Sequence, residues 1–175
     1  FYFLQKISWL GPISELTSVT VYPSPRLSRR VPFGTGKAVG NYIESGQQTT
    51  YPLQTYRDVE WLIDQANPLW KSGRFSEALP NTLKRFLGKE FIESVVPEIR
   101  HNSSGAEAFR KRFFRWFNAF RLMKYLNFAR DKKYGAIPVE TAARALLNEM
   151  GVASINENAA ELLRRYRQLD RDQKN

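Results

Sequence analysis

Cysteine is absent from this chain, and histidine occurs once, at His101. The first absence excludes disulfides, thiolate zinc sites and cysteine nucleophiles. The second makes any Ser-His-acid triad depend on one side chain and removes histidine-rich metal sites. Acids are also scarce: 17 Asp and Glu against 27 Lys and Arg leave a formal charge of +10. That excess points to a polyanionic partner, which is RNA, DNA or an anionic lipid surface. No apolar run reaches the ~20 residues that a membrane-spanning helix needs. The opening FYFLQKISWLGPI is too short and interrupted, and it lacks the basic n-region of a secretory signal. A start at Phe1 is read as a fragment or a processed form, and the mitochondrial matrix is the expected compartment.

Apolar residues make up 42% of the 175 residues and aromatic residues 14%, enough for a substantial core. The length fits one domain, which could bury roughly 70% of the unfolded chain's surface. The segment EAFRKRFFRWFNAFRLMKYLNFARDKK, residues 107–133, holds nine Lys or Arg and two acids, interleaved with aromatic rings. A disordered basic tail would lack the rings, so the composition predicts an ordered basic helix.

The pattern over residues 1–52 predicts an extended, irregular and basic arm. TSVTVY, residues 17–22, alternates like a strand, and 39–43 offers a short partner for it. PSPRLSRRVPFGTGKAVG carries three prolines, three glycines and four basic residues without an acid, the composition of a loop or docking arm. Its FGTGKAVG is not a phosphate loop, because Ala38 stands where a magnesium-binding hydroxyl is required. No clear strand leads into it and no clear long helix follows. The expected state is a turn whose glycines allow positive φ.

Residues 53–170 read as a helical domain, and 171–175 as a frayed tail. Thr55 with Asp58 resembles a capping box opening a helix through Ala66. A second helix runs from near Asn81 to Pro97, with Leu83, Phe86, Leu87, Phe91 and Val95 inward. The basic helix spans 106–133. Pro138 opens another, closed by Gly151, and Ser154 with Glu157 caps the last. LWKSGRFSEAL, residues 69–79, resembles the turn of a tetratricopeptide hairpin through Gly73, Phe75 and Ala78. The resemblance covers this turn alone, with no second copy at a fixed period, and implies a helix–turn–helix packing unit. The expected fold is therefore mainly α: five to six helices with helical hairpins, plus an extended N-terminal arm with room for a short strand pair.

At 100° per residue, Phe109, Phe113, Trp116, Phe120 and Met123 share one side of a continuous basic helix and should be buried. Lys111, Arg112, Arg115 and Arg130 face away, with Leu122 and Leu126 among them. These cations either meet phosphates or pair with Asp64, Glu77, Glu90, Glu93 and Glu98 on neighbouring helices. The rings read as core, which favours backbone over base readout. The last two helices hold arginines at 164, 165 and 167, yet acids at 157 and 161 speak against a DNA-reading helix–turn–helix. Paired acids such as Asp58 with Glu60 are expected to be solvated or ion-paired.

Together these features predict a non-catalytic structural RNA-binding component of a large ribonucleoprotein, of the ribosomal accessory type. The expected phosphate contacts are Arg26, Arg29, Arg30, Lys37, Lys111, Arg112, Arg115, Lys132 and Lys133. The apolar N-terminus is expected to meet a neighbouring protein subunit. No cofactor, metal site or small-molecule substrate is predicted. The alternatives are a scaffold subunit of a membrane-associated complex with its basic face near anionic lipid, and an enzyme whose site is assembled from distant positions.

Overall fold

The computed structural model describes residues 34–152 and 157–172, together with Ile7, Gly11, Ser14, Val19, Val21 and Tyr22. The protein is mainly helical with a small antiparallel strand pair. It divides into two units, Phe1–Gln48 and Thr49–Asn175.

In the first unit, α1 spans Thr35–Ser45. It corrects the expected turn at FGTGKAVG and the expected strand at 39–43. Val39 and Ile43 stand four apart, on one face of a helix, and nothing in that segment alternates as a strand must. Gly46, in the left-handed region at φ 67°, ends the helix by donating to the Tyr42 carbonyl at 2.8 Å. The strand expected at 17–22 lies largely outside the described residues.

The second unit opens with β1, Thr49–Thr50, which pairs antiparallel with β2, Ile137–Pro138. Thr49 lies opposite Pro138, and Thr50 opposite Ile137. The strand pair is therefore made across 87 positions of chain rather than within the arm. Two helices follow, α2 at Leu53–Asp64 and α3 at Ala66–Ser72. Pro68 falls in the first turn of α3, where its missing N–H is not needed. Gly73 closes α3 at φ 71°. A Cβ there would lie 2.9 Å from the Arg100 guanidinium, whose Nε donates to the Trp70 carbonyl at 3.0 Å. Position 73 thus favours glycine for its left-handed backbone, and a side chain there would push the Arg100 guanidinium aside.

The helix expected from Asn81 to Pro97 is broken. α4 covers Asn81–Leu87, Gly88 turns the chain, and a wide π-helical turn at Phe91–Val95 leads into α5, Val96–His101. Pro97 sits in the first turn of α5 instead of ending the helix. The basic segment also divides, into α6 at Ala106–Trp116 and α7 at Ala119–Ala129. A π-helical turn, Arg130–Tyr134, extends α7 and ends at Gly135, whose N–H reaches the Arg130 carbonyl at 2.9 Å.

Asn118 causes the division of the basic segment. Its side chain accepts from the N–H groups of Phe120 at 3.0 Å and Arg121 at 3.1 Å, a cap that starts a new helix. The Arg121 guanidinium lies 4.1 Å from the centre of the Trp116 ring and donates to the Trp116 carbonyl at 2.5 Å, fastening the joint. The break resets the helical phase. Phe109 and Phe113 are fully buried as expected, but Phe120 is 51% exposed and Met123 40%. The core of α7 is formed by Tyr125, Leu126 and Ala129 instead.

The core of this unit joins Leu62, Leu69, Leu83, Val96, Phe109 and Phe113, among others. Phe91 ties it together, lying 4.9 Å from Trp116, 6.0 Å from Phe75 and 6.5 Å from Phe113 between ring centres. These contacts are tilted, stacked and edge-on in turn, and they add ring–ring attraction to burial. The segment 73–79 is held by α2 and by Gln65 just beyond it: Phe75 lies against Trp61 at 5.2 Å, and Gln65 Oε1 accepts from Ser76 N and Oγ, while the next helix begins only at Asn81.

α8, Val139–Glu149, packs on the strand pair and on α2. It ends in a Schellman motif, with Gly151 N bonded to the Asn148 carbonyl and Val152 N to the Leu147 carbonyl. α9, Ala159–Asp172, starts later than expected. Asn158 and Glu161 form its reciprocal capping box, whereas Ser154 lies outside the described residues. The helix also runs through Asp172, into the segment expected to fray.

A candidate polyanion surface and the carboxylate beneath it

On α6, Phe109 and Phe113 point into the core at four-residue spacing, which turns Lys111 and Arg115 to the other side of the helix and leaves Arg112, three residues on from Phe109, at the flank of the buried face. All three are exposed. Lys111 reaches Glu107 at 3.6 Å, with side-chain exposures of 77% and 85%. So open a pair neutralises the lysine weakly. Arg110 lies over the Phe114 ring, 5.7 Å from its centre.

The second basic group is carried by the π turn. Lys132 and Lys133 are both exposed. Arg130, beside them, is occupied: it grips Asp131 through Nε at 2.6 Å and Nη2 at 3.2 Å, and lies 5.5 Å from the Tyr51 ring. That hydrogen-bonded pairing raises the Arg130 pKa and lowers that of Asp131. No ion pair among the described residues involves Arg112, Lys132 or Lys133. Asp64, Glu77, Glu90, Glu93 and Glu98, the acids that could have neutralised them, make none with these three.

Lys37 is exposed on α1 of the first unit, and Arg26, Arg29 and Arg30 lie outside the described residues. His101 is exposed at the end of α5. No group of three or more His, Asp or Glu among the described residues could hold a metal ion. No helix among them is long and apolar enough to cross a membrane.

Sequence reasoning missed Asp58. It is neither a cap nor a solvated acid: α2 begins at Leu53, Thr55 Oγ1 bonds the Pro52 carbonyl at 2.6 Å, and Asp58 is 2% exposed. Its Oδ2 accepts from the Tyr125 hydroxyl at 2.5 Å and the Tyr134 hydroxyl at 2.9 Å. Its Oδ1 accepts from Gln54 Nε2 at 2.9 Å. Thr82 Oγ1 on α4 donates to the Tyr134 oxygen at 3.2 Å. Burial drives the Tyr125 pKa far above its usual range, and the bond to Asp58 adds to the rise. Burial also raises Tyr134, and its bond with Asp58 adds to this. The signal was present: Thr55, Asp58, Leu62, Gln65 and Leu69 repeat at intervals of three and four, which places Asp58 on the buried stripe.

Positive charge is thus exposed on two mounts, a helix and a π turn, and a network of neutral donors joins the end of the turn to a buried carboxylate. Comparison with protein-family models, with curated proteins and with solved structures finds no match to this chain.

Proposed function

We propose that this protein is a non-catalytic structural component of a large ribonucleoprotein, of the ribosomal accessory type, and that it binds RNA through the phosphate backbone. The observation that carries the reading is the state of Arg112, Lys132 and Lys133. They are exposed and none is ion-paired among the described residues; Arg112 lies on the helix that Phe109 and Phe113 bury, and the lysines lie beside Tyr134, whose hydroxyl bonds Asp58. Arginine suits bidentate phosphate contact, and lysine supplies a point charge. Phe109 and Phe113 are sealed in the core and cannot stack on bases, whereas Phe120 is exposed; what Arg112, Lys132 and Lys133 supply is charge directed at the phosphate backbone.

The test is RNA affinity as a function of salt for the intact chain and for Arg112→Ala/Lys132→Ala/Lys133→Ala. Each phosphate contact contributes about 0.7–0.9 to the log–log salt slope. The triple variant should bind more weakly and with a slope shallower by about two to three, and unrelated RNA sequences should be affected alike. Binding to anionic vesicles but not to RNA would favour the membrane scaffold. An unchanged slope would overturn the reading of these three residues.

A further inference from the structure

We infer that the Asp58 network is a positioning device for the Lys132–Lys133 turn, with Tyr134 as the positioning residue. The inference rests on the phosphate-binding reading above.

A buried carboxylate is costly to desolvate and is tolerated where donors satisfy it, as three side chains do here. A carboxylate adds direction: its acceptors hold specific donors at specific angles. Two of those donors come from α7 and its extension. Tyr125 lies within α7, and Tyr134 is the last residue of the π turn. Both bond Oδ2 of the same carboxylate.

Lys132 and Lys133 lie between these two anchors. On one side the chain is continuous with α7. On the other, the Tyr134 hydroxyl is held by Asp58 of α2 and Thr82 of α4. Gly135 then leaves at φ 77°, so the helical path stops immediately beyond the anchor. The wide i→i+5 turn is intrinsically less favourable than an α-helix and is found mostly as single turns at functional sites. Held this way, the lysines lose little freedom on meeting phosphate, which removes part of the ordering cost of binding.

Tyr134→Phe tests this. It removes both bonds of the hydroxyl and leaves every charge in place. RNA affinity should fall about 3- to 10-fold with the salt slope unchanged, and amide exchange at 132–135 should quicken. Tyr166→Phe is the control: it removes a tyrosine hydroxyl bond outside this network, to the Ala143 carbonyl at 2.8 Å, and it should leave RNA affinity unchanged. Equal weakening by both variants would indicate general loss of stability and overturn the inference. So would wild-type affinity or wild-type exchange in Tyr134→Phe. Lys132→Ala/Lys133→Ala separates the two levels. If that variant binds less tightly while Tyr134→Phe does not, the positioning role fails and phosphate binding stands. If the lysine variant binds normally, the reading of this turn fails and the inference with it. Should Tyr134→Phe not fold, Thr82→Val, which removes one bond to Tyr134, is judged by the same criteria.

Discussion

The hydroxyl of Tyr125 donates to Oδ2 of Asp58 at 2.5 Å, across 67 positions of chain and inside the core. The pair joins α7 to α2, and Tyr134 and Gln54 complete the coordination of the carboxylate. Asp58→Ala would leave Tyr125 without its acceptor and Tyr134 with Thr82 alone. At about 1–3 kcal/mol for an unsatisfied buried group, Asp58→Ala should lower the unfolding free energy by about 3 kcal/mol, and Tyr125→Phe by about 2 kcal/mol. Urea unfolding measures both. The double variant should lose less than the sum, because the two residues share one interaction.

Alkaline stability follows from the same network. Tyr125 and Tyr134 both have pKa values above the usual 10.0 of tyrosine. Between the unfolded value and the higher folded value, the folded protein binds more protons than the unfolded chain. Stability therefore falls as pH rises above about 10. Absorbance titration should show exposed tyrosines ionising first, and Tyr125 only together with loss of helical circular dichroism. Tyr125→Phe should shift the alkaline unfolding midpoint upward relative to its neutral-pH stability. A Tyr125 that ionises while the fold persists would contradict its burial.

Asn118 makes the joint between α6 and α7. Asn118→Ala removes the acceptor for two backbone N–H groups and should cost about 1 kcal/mol. Asn118→Asp keeps the acceptor and should stay within about 0.5 kcal/mol of the original. Denaturant midpoints at constant m-value decide between these outcomes.

Much of the helical unit was legible because its signals are local. Gly151 as a C-cap, the glycine turn at 73 and the buried positions Phe109 and Phe113 follow from backbone preference and from apolar spacing. The misreadings arose where local signals competed. Asn118 looked like one polar residue inside a long helix, yet as an N-cap it ended one helix and began another, and Phe120 and Met123 turned outward. Pro97 looked like a stop, yet it occupies a first turn, where proline is tolerated. Position 58 looked like a surface acid, although its spacing placed it among buried residues.

The basic surface is partly a sequence property and partly a tertiary one. Composition alone determined that charge would be positive and concentrated at 107–133, since no fold can change the count of ionised groups. Apolar periodicity determined that α6 would bury one face. Which cations remain exposed and which are taken up internally was settled by the fold. Arg121 lies on Trp116 and Arg130 grips Asp131, whereas Arg112, Lys132 and Lys133 are exposed and make no ion pair among the described residues. The partners of Asp58 were also beyond the sequence, because hydrogen bonds between residues 67 and 76 positions apart exist only once α2, α7 and the π turn have packed together.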